Sequence, residues 1–168
     1  MKINWLSRAS QYSPYLLLCT SAQEYKDATA SLDVDFPPPF INGDADATTH
    51  HFQRCGKCIT IVCMDFYRML DTTPRAVDGL LIHEAIHCAD FAFDAIGEYS
   101  PSPEIYAYEV QAIAQELLMM KDQKLFEFKK IADPVQGPAI DVTHEVADTK
   151  TATPKPARAK QGKKRSSK

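Results

Sequence analysis

The sequence predicts an α+β fold, a small sheet packed on two long helices. Two observations predict strands. Tyr15-Leu16-Leu17-Leu18-Cys19 is a short apolar run, and Cys58-Ile59-Thr60-Ile61-Val62-Cys63 is rich in β-branched residues. A third predicts the helices. Thr73-Pro74 and Ser102-Pro103-Glu104 each read as a helix start with proline at the first helical position.

Each element follows in order. Tyr15–Cys19 is a buried strand. Ser21-Ala22-Gln23-Glu24 is a capping box, which opens a helix running to about Leu32. Residues 33–47 form a loop containing Pro37-Pro38-Pro39 and the turn pair Asn42-Gly43. Residues 48–54 and 57–65 are two strands joined near Gly56. A helix then spans about 74–96 and stops at Gly97. Its apolar face is expected to comprise Leu81, Ile82, Ala85, Ile86, Ala89, Ala92, Phe93 and Ile96. The last helix runs from about 103 to about 130, and Pro134 and Gly137-Pro138 end regular structure.

The chain has 168 residues, which suits one domain plus a tail. Its 45% hydrophobic content permits a sizeable core. No apolar run approaches the roughly eighteen residues that cross a bilayer. The N-terminus lacks the apolar centre of a signal peptide, so the expected location is cytoplasmic, with no membrane partner. The five cysteines are an odd number and read as mostly free thiols. The net charge of −3 hides an asymmetry. Residues 149–168 hold eight basic residues and no acid, which leaves 11 basic against 22 acidic residues in 1–148. Residues 136–168 are therefore expected to be a flexible linker and a disordered, basic, low-complexity tail.

The chemistry centres on His83-Glu84-Ala85-Ile86-His87, which reads H-E-x-x-H. Histidines four apart on a helix lie one turn from each other on one face, where both imidazoles can grip one Zn2+. Glu84 is the expected catalytic residue, taking a proton from a zinc-bound water. The match arises by chance in roughly one chain in a hundred. Its place inside a capped, amphipathic helix argues against two idle surface histidines.

The order of elements resembles a minimal zincin core, specifically the gluzincins. It resembles still more closely small phage-encoded zinc metallopeptidases. These read H-E-x-x-H, then a helix ending at Gly, then E-x-x-A-Y. The matching residues here are His83–His87, Gly97, and Glu104-Ile105-Tyr106-Ala107-Tyr108. The resemblance covers roughly residues 14–120. The first motif is specific, and the second is weak alone. It implies a zincin-like metallopeptidase domain over 1–135, in the host cytoplasm if phage-encoded. It also implies metal ligands His83, His87 and Glu104, with Tyr108 contacting the site.

Simple geometry pulls the other way on the third ligand. If the two helices are straight and antiparallel, Glu109 comes closer to His87 than Glu104 does. Helix crossing angles vary too widely to decide. The metzincin extension H-E-x-x-H-x-x-G-x-x-H is absent, because Asp90 stands where its glycine would be and Phe93 where its last ligand would be. Asp90 is expected to orient a histidine or to be solvated.

Two further clusters have an ordinary reading. Cys55-Gly56-Lys57-Cys58, with His50 and His51 upstream, can form a second zinc site. A hairpin turn explains it without metal. A redox role for the pair is weaker still. Tyr106 and Tyr108 can stabilise an oxyanion, although packing explains at least one of them.

The expected function is thus a zinc-dependent metallopeptidase acting on a peptide or protein substrate. One alternative is a catalytically silent zincin-fold interaction protein, whose basic tail binds nucleic acid or an acidic partner. Another is a protease that the tail concentrates on nucleic acid.

Overall fold

A computed structural model of the chain describes residues 9–10, 13–54 and 56–132. The expected tail lies outside the described residues, as do Cys55 and the end of the expected domain. The elements are β1 (Tyr15–Cys19), α1 (Ala22–Ser31), β2 (Ala47–Arg54), β3 (Lys57–Met64), α2 (Phe66–Asp71), α3 (Pro74–Ile96) and α4 (Pro103–Ala132). The architecture is mixed α+β, with a three-stranded sheet ordered β1-β3-β2. β1 runs parallel to β3, and β2 runs antiparallel to it. Among the described residues, no helix is long and apolar enough to cross a membrane.

Strand periodicity divides the polar residues of β2 between the two faces of the sheet. Ala47, Thr49 and His51 pair with Met64, Val62 and Thr60 of β3. With Leu16 and Leu18 of β1, that face supports the main core, against Val77, Leu81 and Ala85 of α3 and Ile113 and Leu117 of α4. Thr48, His50 and Phe52 pair with Cys63, Ile61 and Ile59 on the opposite face. There a smaller core forms from Cys19, Tyr25, Ala28, Ile61 and Cys63, with Phe40 and Phe52 at its margin.

Local signals account for most boundaries. The Thr73 hydroxyl accepts from the Ala76 N–H, Pro74 follows, and Gly97 ends α3 in the left-handed region at φ 77°. That conformation carries no Cβ penalty in glycine. Gly56, at φ 71°, turns the β2–β3 hairpin in the same way. The Ser21 hydroxyl caps α1 by accepting from Glu24 N–H. The Glu24 carboxylate reaches back to Thr20 N–H at 2.8 Å and also pairs with Lys124 of α4 at 2.9 Å.

Two expectations need correction. Helix α2 stands where the sequence shows only a connection. Its cap is Asp65, whose carboxylate accepts from the N–H groups of Tyr67 and Arg68. Six residues are too few for a helical period to show. The buried stripe of α3 is also rotated from the expected one. Leu81, Ala85, Ala89, Ala92 and Phe93 are buried, but Ile82, Ile86 and Ile96 are 44%, 38% and 55% exposed. Glu84 and Cys88 take their place at 4% and 0%. Leu81 and Ala85 are flanked by an isoleucine pair on one side and by Glu84 and Cys88 on the other. The sheet packs on the latter.

Candidate metal and catalytic site

The site is built on the middle of α3. His83 and His87 are both exposed, and their Nε2 atoms lie 3.2 Å apart with the rings edge to face. At that distance the two nitrogens either share a proton or turn both lone pairs on one cation. A tetrahedral ion bound at about 2.0–2.1 Å holds two nitrogens about 3.3–3.4 Å apart. The pair therefore fits one edge of a zinc coordination shell.

Glu84 does not lie beside them in the open. It is 4% exposed and faces β2, where the Thr49 hydroxyl donates to its Oε2. Cys88, one turn on, also bonds to Thr49, and burial followed by the Glu84 charge pushes its thiol up. The Thr49 hydroxyl thus compensates a carboxylate that would otherwise be costly to bury.

The structure does not bring Glu104 to the histidine pair. Among the described residues, no group of three or more His, Cys, Asp and Glu side chains is placed to hold a metal ion. Glu104 is exposed in the first turn of α4. Tyr106 faces α3, where its ring stacks on Phe93 at 6.0 Å and its hydroxyl donates to Asp90 at 2.7 Å. Glu104 lies two positions earlier, about 200° round the helix. Glu109 does face inward, but Ser10 and Ser13 donate to its two oxygens, each at 2.6 Å. Asp90 takes Tyr106 as its partner rather than orienting a histidine. Burial and then the Asp90 carboxylate raise the Tyr106 phenol to about 12. Tyr108 is 63% exposed.

The histidines upstream of the C-x-x-C segment are separated by the sheet. His50 is buried, with Nε2 3.3 Å from the Phe40 carbonyl and its ring 4.9 Å from Tyr25. His51 projects from the other face and stacks on Phe91 of α3 at 4.1 Å and 24°. Its residue surface is exposed while Phe91 covers one ring face. Burial, then the neighbouring His87 and His50, lower its pKa to about 4. Sequence reasoning missed Thr49, and it placed His51 only beside the C-x-x-C segment. The strand period of β2 was the available signal, since it places both on one face.

A cavity of about 370 Å³ opens beside His83, lined in part by Met64, Met69, Val77 and Leu80, with Arg68 and Asp46 also contributing. β2 borders the site as an edge strand. No protein-family model, curated protein or solved structure matches the chain.

Proposed function

We propose that this chain is a zinc-dependent metallopeptidase with a zincin-like core. The observation that carries the reading is the convergence of His83 and His87 at 3.2 Å, beside a buried carboxylate held by Thr49. When bound, zinc lowers the pKa of water towards neutrality and polarises a carbonyl. Glu84 takes the proton of the attacking water and hands it to the leaving amine. Thr49 holds Oε2, so the carboxylate keeps one orientation through both transfers. The outer edge of β2 offers backbone groups to an extended peptide. The cavity beside His83 takes an apolar side chain of that peptide. The family resemblance alone points to Glu104 as a third ligand; it is exposed in the first turn of α4, which would have to move for it to reach the histidine pair.

The test compares wild type, His83→Ala and Glu84→Gln for zinc content and for cleavage of a broad peptide mixture, with and without chelator. His83→Ala should lose the metal. Glu84→Gln should keep metal and fold while cleavage falls roughly a hundredfold to ten-thousandfold. The burial of Glu84 favours a second reading, a zincin-fold interaction protein that does not cleave. In that reading Glu84→Gln leaves the biological effect intact. Tethering to nucleic acid by residues 149–168 would appear as a salt-dependent DNA shift that is lost on truncation at 148.

A further inference from the structure

We propose that His51 is the third protein donor to the metal held by His83 and His87, so that β2 rather than α4 closes the site. The proposal rests on the metal reading above.

The strand is pinned to α3 at two heights. Thr49 reaches Glu84, and His51 stacks on Phe91. Along the helix, His87 lies between those two anchors. Around the helix it lies about 60° from Glu84 and about 40° from Phe91. It therefore borders the flank that β2 covers. Helix α4 grips a different flank. It anchors on Asp78 through Lys121 and on Phe93 through Tyr106. Those positions are about 180° and 120° round from His87. The Tyr106 hydroxyl reaches Asp90, about 60° from His87 on the side away from Glu84.

One ring nitrogen already has a neighbour. Nδ1 of His51 faces the buried Thr60 hydroxyl at a long 3.5 Å, which leaves Nε2 as the nitrogen available to the cleft. Nε2 is the atom that His83 and His87 already present. A metal-bound histidine ordinarily has its other ring nitrogen engaged in this way. Three neutral imidazoles make a recognised catalytic zinc set and leave the fourth position open. The set is not closed among the described residues. On this proposal the His51 side chain leaves its observed place over Phe91 and turns towards His87 when metal binds.

The test is a zinc titration of the full, 15N-labelled chain, followed through the imidazole nitrogens. Nε2 of His51, His83 and His87 should shift together and saturate at one equivalent. His50, on the opposite face, should not shift and serves as the internal control. His51→Phe keeps a ring on Phe91 but removes the donor. It should weaken zinc binding by more than about tenfold, a loss that removing even an outer partner can produce. Glu104→Ala should leave zinc affinity unchanged. If His83 and His87 shift while His51 does not, the proposal is wrong and the metal reading survives. A loss of affinity in Glu104→Ala would then name the donor. If none of the three rings shifts, both the metal reading and this proposal fail. Should His51→Phe not fold, the wild-type titration alone decides.

Discussion

His50 and His51 are adjacent in sequence and differ in nearly every physical respect. The pleat sends His50 into a closed core, against Tyr25 and beneath the Phe40 carbonyl. It sends His51 over Phe91 of α3. Their neighbours Thr48 and Thr49 divide in the same way. The Thr48 hydroxyl accepts from Asn42 N–H and fastens the loop, while Thr49 donates to Glu84. On the closed face a thiol and a phenol are held protonated. The hydrogen bond that the Cys63 thiol donates to Cys19, and then burial, push that thiol up, and burial followed by Cys63 and Cys19 raises the Tyr25 phenol to about 12. The Tyr25 hydroxyl is buried without a hydrogen-bond partner among the described residues. The other face buries a carboxylate next to two open imidazoles.

The comparison can be broken most severely from beneath the site. Leu81 is fully buried in the core shared by the sheet, α3 and α4. Leu81→Ala should cost about 2–5 kcal/mol, measured by denaturant unfolding. A loss well under that range would mean that α3 does not rest on the sheet as described.

The threonine pair gives the next largest effect. Thr49→Val removes the donor to a buried carboxylate and should cost about 1–3 kcal/mol, with Thr49→Ser restoring most of it. Thr48→Val frees the N–H of Asn42, an exposed residue that water can satisfy, and should cost about 0.5–1.5 kcal/mol. Equal losses at the two positions would remove the distinction between the faces.

Acid supplies a milder test. Burial lowers the pKa of His50 from 6.5, against the opposing pull of the Phe40 and Pro39 carbonyls. Below pH 6.5 the unfolded chain therefore binds a proton that the folded ring refuses. Stability contributed by the neutral ring is complete above that pH and declines as the pH falls towards the folded value. His50→Phe should flatten the decline between about pH 7 and about pH 5, read from denaturation midpoints. A variant as acid-sensitive as wild type would place the proton elsewhere.

The smallest effect is expected at the C-terminus. Residues 149–168 have no large apolar side chain, so the thermal melts of full-length and 1–148 protein should coincide. A clear drop on truncation would mean that the basic segment packs on the acidic remainder.

Local chemistry made much of the chain legible. Thr73-Pro74 and Gly97 mark α3 to the residue, because a hydroxyl cap, a fixed proline φ and a left-handed glycine act within one turn. The β-branched run of β3 and the apolar run of β1 stand where expected. The spacing of His83 and His87 suffices to bring their nitrogens together, since one helical turn is a local property. Tertiary structure alone decided the rest. Whether Ile82 and Ile86 or Glu84 and Cys88 are buried depends on which flank of α3 meets the sheet, and residue type favoured the wrong pair. Glu104 and Glu109 could not be told apart because their positions depend on how α4 crosses α3. The crossing leaves Glu104 outside and gives Glu109 to Ser10 and Ser13, which lie nearly a hundred residues away in sequence. Thr49 and His51 meet Glu84 and Phe91 only because β2 lies beside α3. Caps and motif spacing act over a few residues, whereas a site assembled from separate elements depends on the packing that joins them.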